Sequence, residues 1–220
     1  MQLSAKMVRE RLAHMKPRLT NCSLETSRKG QNAVGELMRA VHHGQVRVKR
    51  HDFENFEGAW VLPDDPRRDG AILYLHGGGY TCGGLDYALG FGSTLADESG
   101  AKVFCAAYRL APEAPFPAAV EDALESYRYL LDKGYAPKKI CLCGESAGGG
   151  LCFSLCLRLK ELRLPLPGSV IAISPWTDLT LSGESFRTNL ERDVSLSQEQ
   201  LAFYTRCLGA ARRCFPSGWR

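Results

Sequence analysis

The stretch KKICLCGESAGGG, Lys138 to Gly150, changes pattern partway along its length. Up to Cys143 it is a short apolar run with strand character, and from Ala147 it opens a helix of small and apolar residues. The junction reads Gly144-Glu145-Ser146-Ala147-Gly148, a serine between glycines at Gly-x-Ser-x-Gly spacing. A sharp strand-to-helix turn strains the backbone of that serine and lifts its hydroxyl above the carboxyl edge of a sheet, and small neighbours avoid clashes there. The helix that follows aims unpaired N–H groups and a positive dipole end at the same point. Ser146 is therefore a candidate nucleophile toward a carbonyl carbon. The structural alternative is a tight turn in which the serine only caps the helix.

Working outward, the same rhythm repeats. AILYLHG (71–77), KVFCAAY (102–108), KKICLCG (138–144) and SVIAIS (169–174) are short apolar runs of buried-strand length. Helical patterns separate them, near Asp86–Ser99, over PAAVEDALESYRYLLDKG (117–134) and from Ala147 to about Leu162. Unbroken apolar strands alternating with amphipathic helices predict an α/β fold, with a mostly parallel sheet covered on both faces. QVRVKRHDF (45–53) and EGAWVLP (57–63) read as two further strands, and DDPRRDG (64–70) as a turn. Before them, Leu3, Met7, Val8, Leu12 and Met15 recur at helical spacing up to Pro17, which marks an end. Val34, Leu37, Met38 and Val41 form the apolar stripe of a second helix closed by Gly44. The division expected is residues 1–44 as N-terminal helices and 45–220 as the α/β core.

The second constellation is LHGGGY, Leu75 to Tyr80, at the end of the first core strand. Three successive glycines let the backbone approach a ligand closely and turn its N–H groups inward. Amides of Gly77, Gly78, Gly79 and Ala147 would together form an oxyanion hole, where losing one donor typically costs about 2.7–4 kcal/mol of transition-state stabilisation. His76, immediately before the turn, reads as a residue that organises the loop rather than as a base. A phosphate cradle finds little support, because neither glycine run ends in G-K-[ST] or follows G-x-G-x-x-G.

Composition narrows the function class. Hydrophobic residues at 45% and charged residues at 24% are ordinary for a globular protein. The net charge of +4, from 28 basic and 24 acidic residues, is too weak and dispersed for nucleic-acid binding. No apolar run approaches a membrane span, and Lys6, Arg9 and Arg11 interrupt any signal-peptide core. Nine cysteines without repeated spacing argue against a disulfide framework and for a reducing, cytoplasmic location. Cys141 with Cys143, and Cys152 with Cys156, lack the knuckle spacing of zinc sites and read as small core hydrophobes.

LHGGGY, YRLAPEAPFPAAVEDA (Tyr108–Ala123), GESAGGG and SPWTDL (Ser174–Leu179) occur in that order. In this series the chain resembles the hormone-sensitive-lipase-like group of α/β-hydrolases, which includes acetyl esterases and arylacetamide deacetylases. The resemblance runs from about Val46 to Ser185. It implies that Ser146 is the nucleophile and that Gly77, Gly78, Gly79 and Ala147 supply the oxyanion hole. It also implies a cap built partly from the N-terminal helices, and hydrolysis of short to medium acyl esters with no metal or organic cofactor. Within YRLAPE, Arg109 and Glu113 are close enough to pair and read as structural. Asp178, just past the fourth core strand, is a minority candidate for the triad acid.

In that group the acid and the histidine follow the serine. Here His14, His42, His43, His51 and His76 all precede it. The tail TRCLGAARRCFPSGWR (205–220) shows neither an apolar strand nor a helical stripe, so the expectation is a C-terminally truncated or out-of-frame chain whose last strands are missing. The strand SVIAIS would then be an uncovered edge. His42 and His43, near the end of a cap helix, are the remaining candidates for a substitute base. Two alternatives to an active esterase stay open: a catalytically inactive ligand-binding module, or a fragment lacking the triad His and Asp.

Overall fold

The computed structural model describes residues 4–20 and 22–209. Among them, six strands form one sheet: β1 Val46–Asp52, β2 Glu57–Pro63, β3 Ala71–Leu75, β4 Lys102–Ala107, β5 Ile140–Glu145 and β6 Ser169–Ile173, ordered β1-β2-β4-β3-β5-β6. β1 and β2 are antiparallel to each other and β2 is antiparallel to β4, while β4, β3, β5 and β6 run parallel. The parallel strands are the apolar runs of the sequence, and β3 is buried along its whole length.

Helices cover both faces. α3 (Leu85–Ser99) buries Leu85, Leu89 and Ala96 against Tyr74, Val103 and Cys143 on one face. α4 (Ala118–Asp132) and α5 (Ala147–Glu161) bury Leu124, Tyr127, Leu151 and Leu155 against Leu73, Phe104 and Leu142 on the other. The free thiols of Cys143 and Cys152 are fully buried, while Cys141 and Cys156 are half-buried. No group of His, Cys, Asp and Glu among the described residues is arranged to hold a metal ion. No helix of the described residues is long and apolar enough to cross a membrane.

Three local expectations change. α1 (Ala5–Thr20) runs through Pro17 rather than ending there. A proline this near the end removes only one i→i−4 bond, which the remaining turn tolerates. α2 (Leu24–Val41) starts inside the polar stretch, where the Ser23 hydroxyl accepts from the Thr26 N–H. Most of its apolar stripe does not face the core: Val34 is 50%, Leu37 71% and Val41 76% exposed, and only Met38 is half-buried. The buried residue is Gly35, where an added Cβ would sit 2.2 Å from the Asp86 carbonyl oxygen. α2 and α3 meet backbone to backbone at Gly35 and Gly90, so closeness rather than side-chain bulk decides which face docks.

The third change concerns the tail. Its first residues belong to α7 (Gln198–Cys207), which follows the short helix α6 (Ser185–Thr188). Leu201 and Leu208 are buried, and Tyr204 lies on their side of the helix. The Ser197 hydroxyl accepts from the Gln200 N–H, and that S-x-x-Q spacing was the signal in the sequence. Residues 210–220 of the tail lie outside the described residues.

Candidate active site

Ser146 sits between β5 and α5 with φ 53° and ψ −119°, a conformation rare for any residue but glycine. Three backbone bonds hold it: Ser146 N–H donates to the Ile173 carbonyl at 3.0 Å, while its own carbonyl accepts from Trp176 N–H at 2.8 Å and Gly150 N–H at 3.1 Å. The turn is pressed against the glycine loop. A Cβ on Gly148 would stand 1.9 Å from the Leu75 carbonyl oxygen and 2.4 Å from that of His76. No other residue type fits between the two loops without moving one of them.

Glu145, which the sequence reading passed over, joins the loops. Its carboxylate accepts from Gly77 N–H at 2.6 Å, Tyr87 O–H at 3.2 Å and Tyr74 O–H at 2.8 Å. Burial raises its pKa above the ordinary carboxylate value, against the lowering effect of those bonds. The Gly77 contact also corrects the oxyanion set. Gly77 N–H is occupied by Glu145 and is not free for substrate, whereas the amides of Gly78, Gly79 and Ala147 have no partner among the described residues. The only signal for Glu145 was its identity, an acid in the variable position before the serine.

His76 is fully buried, stacked on Tyr108 at 4.2 Å, and its Nδ1–H donates to the Gly77 carbonyl at 2.7 Å. Burial pushes its pKa down to about 4, so the ring is neutral and braces the loop. Asp178 is committed as well. Its carboxylate accepts from the N–H and O–H of both Thr180 and Ser182 and from Gly183 N–H, and it touches no histidine.

Arg109 and Glu113 do not pair. Arg109 binds the buried Asp122 carboxylate, with Nη2 at 2.7 Å, and Glu113 takes a bidentate contact from Arg28 of α2 at 2.7 and 2.8 Å. The Arg28 guanidinium holds the Glu113 pKa down at about 2. Proximity along the chain misled here, because the loop between the two residues points them at different helices.

Ser146 opens into a cleft of about 260 Å³ walled by Trp176, Phe186, Leu190, Leu196 and Leu201. Asp193 is its one ionisable lining residue among the described residues, and no histidine lines it. None of His14, His42, His43, His51 and His76 lines the cleft, and the His42 ring is bound to Asp97 at 2.8 Å and Thr94 at 3.0 Å while His51 stacks on Tyr129. The substitution of an earlier histidine as base therefore has no geometric support. α1 reaches the cleft's outer wall, where Arg9 and Lys16 donate to the carbonyls of Arg192 and Asp193.

Residues 72–213 match the family described as alpha/beta hydrolase fold, so the likeness extends into the tail beyond Ser185. An acetyl-hydrolase of Streptomyces hygroscopicus is 43% identical over 174 residues, covering 79% of this chain and 56% of that protein. Human hormone-sensitive lipase is 35% identical over 156 residues, covering 69% of this chain and 14% of the lipase. A solved hormone-sensitive lipase from a metagenome library superposes with a TM-score of 0.87 at 31% identity, covering 96% of this chain and 71% of that one. The chain thus spans about half the length of the acetyl-hydrolase it matches.

Proposed function

The chain belongs to the hormone-sensitive-lipase-like group of the α/β-hydrolase superfamily, and from that premise we propose that it is a carboxylic-ester hydrolase acting on short to medium acyl esters through Ser146. The observation that carries this reading is the positive-φ serine at the head of α5, set against a glycine loop with unpaired amides. Ser146 Oγ attacks the ester carbonyl carbon. The carbonyl π electrons move to oxygen, where Gly78, Gly79 and Ala147 donate to the oxyanion. Collapse breaks the C–O bond to the alkoxide, which leaves as the alcohol with the proton that Ser146 gave up on attack, and the acyl-enzyme remains for water to cleave. The cleft mixes the apolar side chains of Trp176, Phe186, Leu190, Leu196 and Leu201 with serines, Asn189 and Gln198, and among the described residues no cationic side chain lines it, which supports a neutral acyl ester as substrate. α1 and α2 act as part of a cap, and the free core thiols support a cytoplasmic location.

The proton of Ser146 needs an acceptor, and here one observation favours a second reading. Among the described residues no histidine lines the cleft, and bonds from Leu196 and Ser195 hold the Asp193 carboxyl below its ordinary pKa despite partial burial, which makes it a poor base. A chain of this kind binds esters and accepts acyl groups slowly, as a ligand-binding module, without efficient turnover. Assay with p-nitrophenyl butyrate separates the two. Turnover lost in Ser146→Ala supports the hydrolase, and saturable binding without turnover supports the module. Turnover unchanged in Ser146→Ala overturns the assignment of the nucleophile.

A further inference from the structure

We propose that Arg28, on the N-terminal helix α2, is a positioning residue for the oxyanion donor Gly79, acting through a relay of two peptide groups. The inference rests on the ester-hydrolase reading for its consequence but on backbone geometry for its substance. Arg28 Nε–H donates to the Thr81 carbonyl at 2.7 Å. That carbonyl and the Cys82 N–H belong to one planar trans peptide, so they point in opposite directions. The Cys82 N–H in turn donates to the Gly78 carbonyl at 2.9 Å, which also accepts from Thr81 N–H at 3.1 Å. The Gly78 carbonyl and the Gly79 N–H again share one peptide plane. The chain therefore runs from guanidinium to Thr81 C=O, from Cys82 N–H to Gly78 C=O, and ends on a Gly79 N–H with no partner among the described residues.

Each link in this chain does two things. It fixes the direction of the next peptide plane, and it polarises that peptide so that its N–H becomes a better donor. A full positive charge at the head sets the sign: electron density is drawn toward Arg28 and the terminal N–H is left more positive. This suits a group that must stabilise a developing oxyanion. Gly78 and Gly79, at φ 113° and 63°, lack a side chain to fix their own orientation, so an external anchor matters more there than elsewhere in the loop.

The anchor is itself held. Arg28 Nη2 donates to the Ala111 carbonyl at 3.0 Å, and both terminal nitrogens reach Glu113. The Ala111 N–H donates to the Tyr80 carbonyl at 2.8 Å, so the second loop returns to the same turn. One side chain from α2 thus joins two loops of the core by four hydrogen bonds. Lysine, with a single nitrogen, could not span the three acceptor groups.

The test uses the full chain with Arg28→Ala and Arg28→Gln. Amide exchange over residues 78–82 is read by mass spectrometry, and the acylation rate constant and KM with p-nitrophenyl butyrate are read separately. In Arg28→Ala, exchange over 78–82 should rise about tenfold or more. Acylation should slow by about 100-fold with KM little changed, and dilute guanidinium chloride should restore both. Arg28→Gln, which keeps a neutral donor for Thr81, should retain most of the exchange protection yet lose acylation rate. Unchanged exchange in Arg28→Ala would overturn the proposal, and so would a KM-only effect without guanidinium rescue. If Arg28→Ala does not fold, Arg28→Gln decides: retained protection with slowed acylation at little-changed KM supports the proposal, and unchanged acylation overturns it. If Ser146 of the unaltered protein takes no acyl group, the hydrolase reading fails, and the exchange data still decide whether Arg28 holds the loop.

Discussion

At Ser146 a backbone conformation costing on the order of 1–3 kcal/mol persists because neighbouring segments bond both its N–H and its carbonyl. The same crowding makes Gly148 the most constrained position of the turn. Gly148→Ala should lower unfolding stability by about 3 kcal/mol or more, read by urea denaturation, since its Cβ would overlap two carbonyl oxygens. Buried His76 and half-buried Glu145, beside the turn, titrate with opposite sign. His76, with its pKa near 4 in the fold and about 6.5 unfolded, contributes stability above pH 6.5 that is lost as pH falls toward 4, about 3 kcal/mol in all. Glu145, raised by burial, gains stability as pH falls toward its unfolded value near 4.5. Glu145→Gln should therefore steepen the loss of stability between pH 7 and 4.5, and His76→Asn should flatten it. Of these residues the sequence made Ser146 and the glycines legible, because spacing alone encodes a tight turn. Glu145 and the true partners of Arg109 and Glu113 were not, since those contacts depend on where distant loops cross.

The core elements were readable wherever one residue pattern reports one environment. Apolar runs of strand length became β3, β4, β5 and β6, and the helices between them differ from expectation by a residue or two at most. α2 shows where that logic ends. Most of its apolar stripe faces outward and a glycine makes the contact, so hydrophobic periodicity pointed to the wrong face. A paired substitution tests the reversal. Gly35→Ala should destabilise the protein by about 1–3 kcal/mol through collision with the α3 backbone. Leu37→Lys, on the apolar stripe, should change stability by less than about 0.5 kcal/mol. Equal losses in thermal denaturation would mean that α2 docks by its apolar side.

For the whole molecule, the two sheet edges are treated differently. β1 carries exposed Arg47, Lys49 and Arg50, charges that discourage a second strand from adding to it. β6 has no strand on its outer side among the described residues, and Ile171 and Ile173 there are 49% and 42% exposed. Such an edge recruits other chains, so Ile171→Lys should reduce self-association in light scattering without loss of fold. At this scale the layered architecture followed from the alternation of strands and helices, whereas the uneven edges depend on which strands neighbour one another. The central claim is that Ser146 accepts an acyl or phosphonyl group from substrate, and covalent labelling reads this most directly. Incubation with a fluorophosphonate, followed by intact-mass measurement and peptide mapping, should give one adduct per chain, on Ser146, absent from Ser146→Ala. An unmodified chain, or an adduct that survives in Ser146→Ala, would contradict the claim.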